Sequence, residues 1–146
     1  MCKRTIFLFF MVFNLFVLAS SGKHEHKSDT MTTISGLLWH LNIETALQKA
    51  KKEKKDILVM VGEDSCRWCK KMKNRTLTDA RIQKKLKSYI LVSVKRSDKE
   101  AIQYLPTFDG NIPSFFFLKE NKEIIESIVG YFKADDFLEY LNEVEE

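Results

Sequence analysis

Apolar positions along the chain fall into distinct patterns, and each predicts a different element. Continuous apolar runs mark strands covered on both faces: "ILVMV", Ile57 to Val61, and "YILVSV", Tyr89 to Val94, lack the alternation of a half-exposed strand. A period near 3.6 marks amphipathic helices. Ile43, Ala46, Leu47 and Ala50 recur at i, i+3, i+4 and i+7 behind Asn42, a capping residue. Phe137, Leu138, Leu141 and Val144 predict a closing helix with Asp135 and Asp136 in its first turn. Between the two strands, Cys69 and Met72 give one thin apolar edge to a helix, and Thr78 caps a shorter one whose inner side is Ala80, Ile82 and Leu86.

Helical material between two buried strands implies a crossover and a parallel pair. Farther on, "FFFL" and "IIESIV" flank the turn-like "KENKE", which predicts a hairpin in the same sheet. The predicted domain is α/β, with a central mixed sheet of about four strands flanked by helices. Trp39 and Phe115 to Phe117 lie on apolar faces and belong to the core, and His40 reads as a packing or surface residue. Tyr104, Pro106 and Phe108, in the polar connection before Pro113, are candidates for lining a substrate groove.

Ahead of this domain the pattern changes. Lys3 and Arg4 precede an apolar run from Ile6 to Ala19 broken only by Asn14, and Ala19, Ser20 and Ser21 are small. This is the arrangement of a cleavable secretory signal over residues 1–21, cut after Ser21 or Ala19. An uncleaved anchor is the alternative, although the run falls short of the roughly 20 residues that span a bilayer. Either way the domain is exported, to the periplasm in a Gram-negative cell. Residues 22–37, opening "GKHEHKSDTMTTISG", are polar and aperiodic and read as a flexible lead-in to a folded domain over 38–146.

Charge then excludes one class of partner. Without Lys3 and Arg4 the formal charge of +4 falls to about +2, which gives no electrostatic case for nucleic acid. The lysines of "KAKKEKKD" suit the solvated C-terminal end of a helix. Cysteine usage narrows the chemistry further. Of the three cysteines, Cys2 leaves with the signal, and Cys66 and Cys69 remain, three residues apart in "EDSCRWCKK".

Cys66 follows a central strand and opens a helix, where N–H groups favour an anion. Arg67, Lys70 and Lys71 add positive field, while Glu63 and Asp64 oppose it; the sum favours a depressed thiol pKa. Cys69 lies one turn deeper, close enough to close a small disulfide and less exposed. This asymmetry gives Cys66 the attack on a partner's disulfide and Cys69 the resolution. Two other readings stay open: a metal-binding module in which His24 and His26 complete a site with Cys66 and Cys69, and a binding or chaperone module whose cysteines are incidental. A chain beginning at Gly22 would also expose Gly22-Lys23-His24, a terminus able to hold copper(II) in a square plane.

At these residues the chain resembles the thioredoxin superfamily, over roughly Trp39 to Glu146. The end of "ILVMVGEDSC" keeps the family's register from strand to first cysteine, and "NIPSFFF" is similar to the Ile-Pro step that precedes the next strand. The resemblance implies a thioredoxin-like fold, a redox-active Cys66/Cys69 disulfide, a cis Pro113 against it, and substrate pairing through the backbone of Ile112. It implies a thiol-disulfide oxidoreductase with no cofactor and no resident metal. Its partners would be exported protein thiols and disulfides together with a membrane electron-transfer or exchange protein.

Departures from the family are concentrated at the site. Ser65 stands where thioredoxins carry a tryptophan, Met60 where they bury an acid, Asn74 where the active-site helix has a proline, and Arg67-Trp68 where Gly-Pro separates the cysteines. These changes resemble exported members with C-x-W-C motifs, and they assign redox tuning to Met60, Ser65, Arg67 and Trp68. Without the acid, Glu63 or Asp64 is a candidate base for Cys69.

Overall fold

In the computed structural model, residues 30–145 are described. The signal segment, the first part of the lead-in, His24, His26 and the Gly22-Lys23-His24 terminus lie outside them. Six strands form one mixed sheet in the order β1-β2-β4-β3-β5-β6. They are β1 (Met31–Ile34), β2 (Leu37–His40), β3 (Ile57–Gly62), β4 (Ile90–Lys95), β5 (Ser114–Leu118) and β6 (Ile124–Val129). The helices are α1 (Ile43–Glu53), α2 (Arg67–Lys71), α3 (Ala80–Leu86), α4 (Lys99–Ile102) and α5 (Ala134–Val144).

β3 is central, parallel to β4 and antiparallel to β5, and all six of its residues are buried. Because side chains alternate across a strand, its apolar run feeds two cores. Ile57, Val59 and Val61 pack with Ile43, Ala46, Leu47 and Ala50 of α1. Leu58 and Met60 face the opposite layer, with Met72, Ile82, Leu86 and Phe137. α1 starts where the sequence indicates: Asn42 Oδ1 accepts the N–H groups of Glu44 and Thr45 at 2.9 and 3.0 Å. The buried Trp39, Phe115, Phe116 and Phe117 are core, as expected.

The sheet has two strands more than the apolar pattern predicts, and both come from the segment read as a flexible lead-in and its border. Met31–Ile34 pairs antiparallel with Leu37–His40 across a two-residue turn, Ser35 (φ 53°) and Gly36 (φ 80°). Two successive left-handed residues match the twist of a tight hairpin. His40, at the end of β2, is buried and pairs with Val92 of β4. The turn is also held from the opposite layer: Ser35 Oγ donates to Lys73 O at 2.5 Å, and Gln83 Nε2 donates to Ser35 O. α3 is capped one residue later than predicted, because Asp79 Oδ1 accepts the Arg81 N–H at 2.9 Å while Thr78 Oγ1 donates back to Arg75 O.

Candidate active site

β3 ends at Gly62, and the chain turns through Glu63, Asp64 and Ser65 before Cys66 caps α2. The Cys66 sulfur accepts the Cys69 N–H at 3.1 Å, which places it at the free donors of the helix start. Cys66 and Cys69 form a disulfide with their Cα atoms 5.2 Å apart. Their surroundings differ: Cys66 is partly exposed, whereas Cys69 is 1 % exposed. The cause is helical geometry, since Cys69 and Met72 share the inward edge of the helix while Arg67, Trp68 and Lys70 face out.

Past Lys71 the helix widens into a π-helical turn, Met72–Thr76, in which the Leu77 N–H reaches Met72 O at 3.0 Å. Asn74, at the position where the family resemblance looks for a proline, lies inside this turn. The turn is tied at both sides: Ser35 holds Lys73 O, and buried Thr76 donates its hydroxyl to Phe132 O at 2.5 Å. Such one-turn π segments recur at functional sites.

In a groove shared with Trp68, the Ile112–Pro113 bond is cis. The loop carrying it is braced from within. Asp109 accepts the backbone and side-chain N–H groups of Asn111 at 3.0 and 2.7 Å, and Ser114 Oγ donates to Asn111 O at 2.5 Å. The Gly130 N–H donates to Pro113 O at 2.8 Å, which joins the loop to the end of β6. Trp68, Ile112, Pro113, Gly130 and Tyr131 line a groove of about 280 Å³.

The tuning candidates fall into two groups. Ser65, Arg67 and Trp68 are at the surface, with the Arg67 guanidinium 5.8 Å from the Trp68 ring centre. Met60 is buried in the core, on the same face of β3 as Gly62. Asp64 is committed elsewhere: its carboxylate accepts from Lys95 Nζ at 2.6 Å, and that hydrogen bond and charge hold its carboxyl below the ordinary carboxylate range. Tyr104 and Phe108 do not reach the groove. The Tyr104 hydroxyl donates to Glu44 of α1 at 2.6 Å, and Phe108 packs edge-on to Phe116 in the α1 core.

One groove residue, Tyr131, is absent from the sequence reading, because it carries no motif. Among the described residues, no three His, Cys, Asp or Glu side chains gather where they would hold a metal ion, and no helix is long and apolar enough to cross a membrane.

A partly exposed cysteine capping a helix after a central strand, a buried partner one turn on, and a cis-proline loop sharing a groove with the tryptophan between them define a thioredoxin fold with a dithiol–disulfide site. The chain matches the thioredoxin-like domain family over residues 43–145 and belongs to it. Solved structures share the fold at low identity. A disulphide isomerase from Xylella fastidiosa Temecula1 matches with a TM-score of 0.61 and 14 % identity, over 71 % of this chain and 88 % of that one. For a thioredoxin from Thermus thermophilus the values are 0.60 and 19 %, over 71 % and 84 %. For the oxidised C-terminal domain of Neisseria meningitidis DsbD they are 0.57 and 21 %, over 69 % and 91 %. No curated protein sequence gives a significant match.

Proposed function

We propose that this protein is an exported thiol-disulfide oxidoreductase, in a reducing or interchange role, that acts on protein disulfides through a Cys66/Cys69 cycle. The observation that carries the reading is the pair itself: bonded sulfurs at the end of a central strand, one partly exposed and one buried, in a thioredoxin-like domain. Starting reduced, the Cys66 thiolate attacks one sulfur of a target disulfide. A Cys66–target bond forms, and the displaced target thiolate takes a proton from solvent. Cys69 then gives up its proton and attacks the Cys66 sulfur, which restores the Cys66–Cys69 bond and releases the second target thiolate. Two electrons pass to the target.

Ile112 and Pro113 serve this cycle as the edge against which the target backbone lies. Ser65, Arg67, Trp68 and Met60 set the balance between dithiol and disulfide. The basic start, apolar run and small residues of 1–21 support export, and a membrane dithiol carrier would return the electrons. The DsbD C-terminal domain, which shares the fold, has been solved both oxidised and reduced, the two states such a cycle requires.

The test is reduction of a protein disulfide with dithiothreitol as electron source, where the protein should accelerate the reaction and Cys66→Ser should abolish the gain. Equilibration against glutathione mixtures gives the direction. A potential below about −250 mV identifies a reductant, and one above about −150 mV an oxidant.

A further inference from the structure

Electron exchange runs through the two sulfurs, and the stacked Trp68–Tyr131 pair, which forms no bond in it, stands beside them. The two rings stack with centres 5.7 Å apart and planes 28° from parallel. Lys71 Nζ lies over both, 4.9 Å from the Trp68 centre and 4.4 Å from that of Tyr131. Trp68 nevertheless stays 48 % exposed. Stack and ammonium together hold a surface indole as a fixed wall of the groove, whose other sides are Ile112, Pro113 and Gly130. Gly130 adds no side chain, and a Cβ there would meet nothing within 4 Å, so the groove is open at that point to a side chain from outside.

Charge narrows the occupant. On the helix at the groove's edge Arg67, Lys70, Lys71 and Lys73 stand against Glu63 and Asp64, and Asp64 is already bound by Lys95. An aromatic ring entering the groove finds an indole and a phenol for offset stacking, and a carboxylate next to it finds excess positive charge.

We infer that Trp68, Tyr131 and Lys71 form a side-chain subsite selecting target disulfides whose cysteine is flanked by an aromatic residue in an acidic, extended segment. The inference rests on the thiol-disulfide cycle proposed above, with the target lying along Ile112 and Pro113 so that the residue beside its cysteine drops into the groove.

Three symmetric peptide disulfides test it: one with Phe beside Cys and Asp residues around, one with Gly replacing Phe, and one with Lys replacing Asp. Reduced protein should act on the first with a kcat/KM about ten-fold or more above the other two, mainly through KM. Tyr131→Ala should bring the three towards equality and Tyr131→Phe should keep the preference. Hydroxyethyl disulfide, which has no side chain for the groove, reports the cycle alone. Turnover of that compound with equal rates on all three peptides overturns the subsite. Failure to turn over any disulfide overturns the cycle and the subsite with it.

Discussion

A Cβ on Gly62 would stand 3.3 Å from the Cys69 sulfur. The last residue of the central strand is therefore the support on which the buried half of the disulfide rests, and close approach is what the glycine provides. Gly62→Ala should lower stability by about 1–3 kcal/mol through crowding, read as a shifted denaturant midpoint. An unchanged midpoint would mean that Cys69 has room to retreat.

Unequal exposure of the two cysteines sets an order of reaction. In the reduced protein at mildly acidic pH, Cys66 should be alkylated well before Cys69, which is 1 % exposed. Cys69→Ser should accumulate a mixed disulfide with the target, visible by mass spectrometry. Cys66→Ser should lower turnover by more than about a hundred-fold. Equal slow labelling of both thiols would remove the assignment of roles.

Acid stability should depend on Asp79. Its carboxylate caps α3 and binds the Arg81 side chain, and those contacts lower its pKa from 3.8 to about 2. A depressed folded pKa contributes stability that is fully present above the unfolded value and is lost as pH falls through the folded one. The window thus lies between about pH 4 and pH 2. Asp79→Asn keeps an acceptor for the cap and removes the charge, so its denaturation midpoint should vary less across that window than the wild-type midpoint does.

Restoring an acid at position 60 should be costly. Met60 is 1 % exposed among apolar neighbours, so Met60→Asp buries a carboxyl whose folded pKa must rise. A raised acid pKa destabilises the fold increasingly as pH climbs from the unfolded towards the folded value, by about 1.4 kcal/mol per unit. The variant should be closest to wild type near pH 4 and weakest at neutral pH by thermal denaturation.

Where burial shaped the sequence, the fold was legible in it. β3 and β4 are covered on both faces and therefore appear as unbroken apolar runs, and α1 announces itself through Asn42 and a four-residue stripe. The β1–β2 hairpin left a weaker trace, because β1 is an edge strand with alternating exposure and two threonines; the Ser35-Gly36 turn was its one local signal. At the site, the spacing of Cys66 and Cys69 and the Ile-Pro step carried their own meaning. Tyr131 did not, since its importance arises only when the end of β6 meets α2 in space. Tyr104 misled for the opposite reason: it is near Pro113 in sequence, but its hydroxyl is drawn away from the groove to Glu44 at the start of α1.

Trp68 has one more consequence. The chain has two tryptophans; Trp39 is wholly buried, and the other sits between the two cysteines in sequence, held by Tyr131 and Lys71 at the surface. A disulfide accepts an electron from an excited indole and darkens its emission, and a dithiol does so less effectively. Fluorescence should therefore brighten when the pair is reduced and dim when it closes, giving the molecule a built-in optical gauge of its own turnover.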